Sequence, residues 1–111
     1  RVMGYPTANL DVPSEITIPG NGIYATWAYI DGKQCKSATS IGVRPTFGSG
    51  ERTVETFVLD FKGDLYNQEI RLEFAHRLRD ELAFDSVEAL QEQMAKDIER
   101  TRGVLEKTNK G

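Results

Sequence analysis

The sequence predicts a mainly β domain, an antiparallel barrel closed by one long C-terminal helix. Three patterns carry that expectation. Residues 22–31 and 53–61 are rich in aromatic and β-branched side chains that alternate with a period of two, as strands do. Asp31-Gly32 follows the first of these runs and is a strong two-residue hairpin signal. From Val87 onward the apolar residues recur at helical spacing instead.

Taken in order, residues 1–21 read as irregular, because Gly4, Pro6, Pro13, Pro19 and Gly20 punctuate them. The run 22–31 places Ile23, Ala25, Trp27 and Tyr29 on one face and Tyr24, Thr26, Ala28 and Ile30 on the other. Apolar groups on both faces suit a strand buried on two sides or rolled into a barrel. After the turn, 33–43 is the partner strand, and Pro45, Gly48 and Gly50 mark a second loop. The segment 53–61 puts Val54, Thr56, Val58 and Asp60 on one face. Thr53, Glu55, Phe57, Leu59 and Phe61 take the other. Residues 62–67 turn the chain. Residues 68–78 alternate again, with Ile70, Leu72 and Phe74 inward and Arg71 and Glu73 outward; alternation alone would continue inward to His76, which beside Arg77 and Arg79 reads instead as a surface or rim residue. Asp85 or Ser86 caps the helix, and Glu88 stands three residues after Asp85 as a capping box requires. Val87, Leu90, Met94, Ile98 and Val104 or Leu105 form one stripe for core packing. Arg100 and Arg102 lie towards the end favoured by the helix dipole, and the tail 107–111 is expected to fray.

Length and composition bound the function. The chain has 111 residues, enough for one domain, and 39% hydrophobic content with 28% charged residues is ordinary for a soluble fold. A net charge of −3 gives no basic footprint for nucleic acid. No apolar run approaches the roughly 20 residues of a membrane span, and Arg1-Val2-Met3-Gly4 opens no signal peptide. Cys35 is the single cysteine, which precludes an internal disulfide and fits a reducing cytoplasm. It reads as a small packing or surface residue, and with only His76 beside it in the inventory there is no zinc site of the usual kind.

The chemistry-bearing residues are few. Gly4-Tyr5-Pro6-Thr7-Ala8-Asn9 delivers a hydroxyl and an amide oxygen two residues apart. On extended backbone these point to one side, and hard oxygens of this kind suit magnesium and a phosphate chain. Glu55 is a lone carboxylate in an apolar row of a strand, placed to act as a general base. Together they suggest phosphoryl transfer, and no GxxxxGK[ST] occurs, so a Walker-type loop is excluded. Each residue also has a plainer use. Thr7 and Asn9 can form an Asx- or ST-turn, Glu55 can pair across the sheet with Arg44, Arg52 or Arg71, and Arg79 can be an ordinary cation ahead of the helix.

Six ordered segments resemble a family. They are Gly4-x-Pro6-Thr7-Ala8-Asn9, Gly22-Ile23-Tyr24-Ala25, Ser40-Ile41-Gly42 with Pro45-Thr46-Phe47, Val54-Glu55-Thr56, Asp64-Leu65-Tyr66, and Arg79-x-Glu81-x-x-Phe84-Asp85-Ser86. The chain resembles the riboflavin kinase domain, in the form found as the C-terminal module of bacterial bifunctional riboflavin kinase/FAD synthetases. The resemblance implies a six-stranded Greek-key barrel with a long C-terminal helix. It covers 1–111, with a strand and a glycine-containing flap of the family truncated ahead of Arg1. It implies transfer of the ATP γ-phosphoryl group to the 5′-hydroxyl of riboflavin, giving FMN and ADP, with Mg2+ as cofactor and an FMN adenylyltransferase domain as a partner in a longer protein. Glu55 would be the catalytic carboxylate, and Thr7 and Asn9 the metal ligands. Gly4, Pro6, Thr7, Asn9 and Tyr66 would line the nucleotide, and Arg79 the flavin. The competing readings are a non-catalytic flavin-binding barrel and a small barrel that binds nucleic acid or protein; the acidic balance speaks against the last.

Overall fold

The structure, a computed structural model, describes residues 7–10, 18–46, 49–61, 65, 69–82 and 84–108. Five strands and one helix follow in order: β1 (Thr7–Leu10), β2 (Gly22–Ile30), β3 (Lys33–Thr46), β4 (Ser49–Val58), β5 (Ile70–Arg79) and α1 (Val87–Thr108). They form one antiparallel sheet in the order β1-β4-β3-β2-β5. Strands β2, β3 and β4 meander, and β1 returns to lie beside β4, which is a Greek key. Among the described residues the edges β1 and β5 are not hydrogen-bonded to each other. They nevertheless face the same apolar interior: Ala8 and Ile70 pack on one cluster, Leu10 and Phe74 on another. The sheet is therefore curled like a barrel wall without being closed.

The first hairpin turns where expected. Asp31 and Gly32 both take positive φ, 51° and 78°, the pattern of a type I′ turn, which glycine accommodates without strain. Other boundaries move. Thr7–Leu10 is a strand and not part of an irregular segment, because pairing with β4 overrides its weak local preference. The second hairpin runs further than the Pro45, Gly48 and Gly50 signals suggest, with Pro45 opposite Gly50 and Thr46 opposite Ser49. Strand β4 ends at Val58, and Asp60 leaves it at φ 57°. There the Asp60 carboxylate accepts two hydrogen bonds from Arg102 of α1, at 2.5 and 2.9 Å. That contact holds the Asp60 carboxyl below its ordinary pKa. Arg102 thus works through a tertiary partner.

Strand β5 carries two register shifts against β2, which leave Ala75 and Leu78 without a direct partner. Each bulge resets the alternation. His76 is consequently exposed, a surface residue as its neighbours suggest, while Leu78 is buried against α1.

Two packed layers result. Inside the curl, Tyr24, Ile41 and Val54 form one cluster, and Ala28, Ile30, Val58 and Leu65 another. Cys35 packs on the second cluster, and burial pushes its thiol pKa up, so it is a packing residue. Between the clusters runs a chain of buried hydroxyls. Thr26 Oγ1 lies 2.6 Å from Ser37 Oγ and 2.8 Å from Thr39 Oγ1, and Thr39 Oγ1 lies 3.0 Å from Thr56 Oγ1. All four residues are fully buried. Replacing Thr39 with valine keeps the shape but strands the hydroxyl of Thr56. A buried donor left unpaired costs about 1–3 kcal/mol. The expected result is a lower denaturant midpoint at unchanged m-value, and an unaltered midpoint would mean that the chain adds no stability.

On the outer face, α1 packs Leu105 and Val104 against Ala25, Trp27, Leu78, Ile23 and Tyr29. Ser86 caps the helix by accepting the Ala89 amide at 3.1 Å. With Ser86 as the cap, Glu88 falls at the second helical position, so the expected Asp85–Glu88 capping box does not form. The stripe is shorter than predicted: Met94, Ile98 and Leu105 are buried, whereas Val87 and Leu90 are exposed at the helix start.

Candidate active site

The register of the sheet places the predicted residues. Asn9 of β1 is the direct partner of Glu55 in β4. Glu55 is in turn opposite Ser40 of β3, Ser40 opposite Ile23 of β2, and Ile23 opposite Arg79 of β5. Direct partners share a face, so Asn9, Glu55, Ser40, Ile23 and Arg79 form one row across the outer surface. Thr7, two residues before Asn9, is opposite Phe57 on the same face. The side-chain direction expected for Thr7 and Asn9 is met, because both lie in a strand and not in a turn.

Glu55 and Phe57 are half-buried, while Val54 and Val58 are buried inside the curl with Thr56. The apolar row that Glu55 shares is thus the outer face, the one on which α1 rests. Among the described residues Glu55 has no hydrogen bond or ion pair. Two of its possible cross-sheet partners are engaged elsewhere. Arg52 donates to Asn21 Oδ1 at 3.1 Å and to the Pro19 carbonyl. The Arg71 guanidinium lies 4.4 Å from the centre of the Tyr29 ring. The third, Arg44, belongs to β3. Among the described residues the Glu55 carboxylate is left without a partner beside the Asn9 amide, with neighbouring Cα atoms about 5 Å apart as cross-strand partners are.

Arg79 shares the row but not the neighbourhood. Three strand spacings separate it from Glu55, roughly 14 Å at about 4.8 Å each. Its Nε and NH2 donate to the two carboxylate oxygens of Asp97 in α1, at 2.9 and 2.6 Å, and NH1 donates to the Asp80 carbonyl at 2.8 Å. Gln93 adds a third hydrogen bond to Asp97 at 3.1 Å, and Arg100 ties α1 to the Leu78 carbonyl at 2.8 Å. Arg79 therefore fixes the loop from β5 to the helix. Asp97 escaped the sequence reading, though it carries a signal: it is a carboxylate on the same helical stripe as Met94 and Ile98, and such a group needs a cation. Gly4, Pro6 and Tyr66 lie outside the described residues.

Fold and site together define a small Greek-key β domain whose outer face presents hard oxygen donors beside the Glu55 carboxylate, which has no partner among the described residues. The chain belongs to the riboflavin kinase family: the Flavokinase pattern matches residues 1–105. It is 39% identical over 99 residues to the RNA-binding riboflavin kinase RibR of Bacillus subtilis, covering 88% of this chain and 42% of that protein. It is 37% identical over 105 residues to the bifunctional riboflavin kinase/FMN adenylyltransferase of Pseudomonas fluorescens, covering 94% of this chain and 33% of the relative. The chain thus spans less than half the length of these relatives. A crystal structure described as a macrolide-efflux protein from Streptococcus pneumoniae superposes with a TM-score of 0.82 at 34% identity, covering 89% of this chain and 33% of that one. No described helix of the present chain is long and apolar enough to cross a membrane.

Proposed function

We propose that this domain phosphorylates riboflavin, moving the γ-phosphoryl group of ATP to the ribityl 5′-hydroxyl and releasing FMN and ADP. The observation that carries the reading is the direct pairing of Asn9 with Glu55, whose carboxylate has no partner among the described residues. In the reaction the 5′-oxygen bonds to the γ-phosphorus as the bond to the bridging oxygen breaks. ADP leaves with that electron pair, and Glu55 accepts the proton of the attacking hydroxyl. Phosphoryl transfer asks little covalent help of a protein; alignment and charge neutralisation do most of the work.

Magnesium fits the donor set. Thr7 and Asn9 offer hard oxygens from one face of β1. Among the described residues no three His, Cys, Asp or Glu side chains gather to enclose an ion. An ion held here would take its other ligands from phosphate and water, as magnesium prefers, and when bound it would offset the charge of the β- and γ-phosphates. In this reading Gly4, Pro6 and Tyr66 complete the nucleotide side. Arg79 serves the flavin end through the loop it anchors. By analogy with the bifunctional relatives, the FMN formed here feeds an adenylyltransferase domain of a longer protein. The reaction belongs in the cytoplasm, where ATP is abundant and the thiol of Cys35 stays reduced. A net charge of −3 argues against nucleic acid as a partner of this domain.

The test is to incubate the protein with riboflavin, ATP and magnesium and to separate the flavins. FMN is expected only when all three are present. Flavin affinity indifferent to ATP and magnesium, with no FMN, would favour a non-catalytic flavin-binding barrel.

A further inference from the structure

Gly42 of β3 is buried, and what covers it is the carboxylate of Glu81. A Cβ built on Gly42 would stand 1.7 Å from Glu81 Oε2 and 2.8 Å from its carboxyl carbon. The direction of that Cβ is fixed by the strand. Gly42 is two residues from Ser40 and opposite Thr53, with no register shift between them. It therefore shares the outer face with Ser40 and Glu55. The Glu81 carboxylate lies on the same face as Glu55, one diagonal step along the β3–β4 pair, where backbone positions are about 7–8 Å apart. Glu81 arrives there from the β5–α1 loop, whose start is pinned by Arg79 to Asp97. Among the described residues its carboxylate has no hydrogen bond or ion pair. The two cations nearest to it in sequence are engaged elsewhere: Arg79 with Asp97 and the Asp80 carbonyl, and Arg77 with Asp80 at 2.5 Å and the Asn21 carbonyl at 3.1 Å.

An ionised carboxylate only accepts hydrogen bonds. It disfavours nucleotide phosphates and suits a neutral group that carries several donors. We propose that Glu81 is the second carboxylate of the site, accepting hydrogen bonds from the secondary hydroxyls of the ribityl chain and so setting its direction. The inference rests on the riboflavin kinase reading. With the 5′-hydroxyl at Glu55, the remaining ribityl hydroxyls are strung out over a length comparable to the diagonal step of about 7–8 Å between the backbone of Glu55 and that of Gly42. Gly42 is the condition for this arrangement, since any side chain there would occupy the seat of the Glu81 carboxylate.

Two variants test the idea by different routes. Glu81→Gln removes the charge, while Gly42→Ala keeps the charge and displaces it. The displaced group is the end of a flexible side chain, so Gly42→Ala is expected to fold. Riboflavin affinity is read by quenching of flavin fluorescence in the presence of ADP and magnesium, which needs no turnover. Both variants are expected to weaken riboflavin binding by about tenfold or more, as loss of hydrogen bonds to a charged group does. The double variant should be no worse than the weaker single one, and ADP affinity should stay unchanged. Lumiflavin, which has the ring but no ribityl chain, should bind all forms alike. Riboflavin affinity unmoved by Glu81→Gln, or an equal loss for lumiflavin, would overturn the proposal, as would a shift in ADP or magnesium affinity alone. FMN formation by the unaltered protein is scored separately. Turnover without an effect of Glu81 rejects this inference only, whereas an effect on binding without turnover rejects only the kinase reading. An unaltered protein that binds no riboflavin rejects both.

Discussion

Replacing Glu55 with glutamine is expected to lower kcat by about 10²- to 10⁴-fold, the usual worth of a positioned general base. That loss corresponds to roughly 3–5 kcal/mol of transition-state stabilisation. Glutamine keeps the size and the hydrogen-bonding reach of the side chain but cannot take the proton of the attacking hydroxyl. Two further observations should separate this loss from damage to the fold. The carboxylate is half-buried and has no partner among the described residues, so its removal breaks no ion pair, and the melting temperature should hold. Nucleotide affinity should also hold, because the ligands assigned to the metal and phosphates lie on β1 and not on β4. Steady-state rates with a thermal melt decide the matter. A kcat close to that of the unaltered protein would remove Glu55 from the role of base.

The second large effect concerns stability. Asp97→Ala is expected to destabilise the domain by about 3–5 kcal/mol, since it leaves a mostly buried guanidinium without its counter-ion. The side chains of Arg79 and Asp97 are only 16% and 9% exposed, and two hydrogen bonds at 2.9 and 2.6 Å join them. By contrast, the pair Lys36–Glu106 spans 3.3 Å at the surface with Glu106 65% exposed. Such pairs are worth about 0–1 kcal/mol. A fall in melting temperature on the order of 15 °C for Asp97→Ala, against almost none for Glu106→Ala, is the expected contrast. Replacing both Arg79 and Asp97 with leucine should recover much of the loss, because an apolar pair of similar volume leaves no orphaned charge. If Asp97→Ala melted like Glu106→Ala, the ion pair would not be what fastens the helix to the sheet.

Where the sequence was legible, the signal was periodic or stereochemical. The alternation of 22–31 and 53–61, the Asp31-Gly32 turn and the helical stripe ending at Leu105 each impose a geometry that few other arrangements satisfy. Strand β1 was not legible, because Thr7–Leu10 has no pattern of its own and is extended only through its pairing with β4. His76 is exposed, as the surface reading expects, but strict alternation would turn it inward, because a bulge is invisible to alternation: one extra residue at Ala75 reverses the side chains up to the second shift at Leu78. Val87 and Leu90 were assigned to the core by spacing alone, but in the first turn of the helix both are exposed. In the site, the common side-chain direction of Thr7 and Asn9 follows from their two-residue spacing. Their alignment with Glu55 is a property of register, which connects residues that sequence proximity never brings together. The same holds for Glu81, a motif residue whose position over Gly42 only the folded sheet reveals.

The return of β1 to β4 also sets an order of events in time. Strands β2, β3 and β4 follow one another and can zip from the Asp31-Gly32 turn outward, seating Glu55 early. Asn9 must wait until the long connection from β1 closes, and the chain entropy lost in that closure grows with the length enclosed. Pairings of such separation place a domain among the slower folders, on the scale of milliseconds to seconds. The short edge strand β1 is also the natural first element to detach when the folded protein breathes. Amide exchange is therefore expected to be fastest along β1 and slowest in β3, the centre of the sheet. A molecule with β1 detached keeps its hydrophobic interior and Glu55 but has lost Asn9, so under the proposed function gentle heating should extinguish turnover before it unfolds the domain.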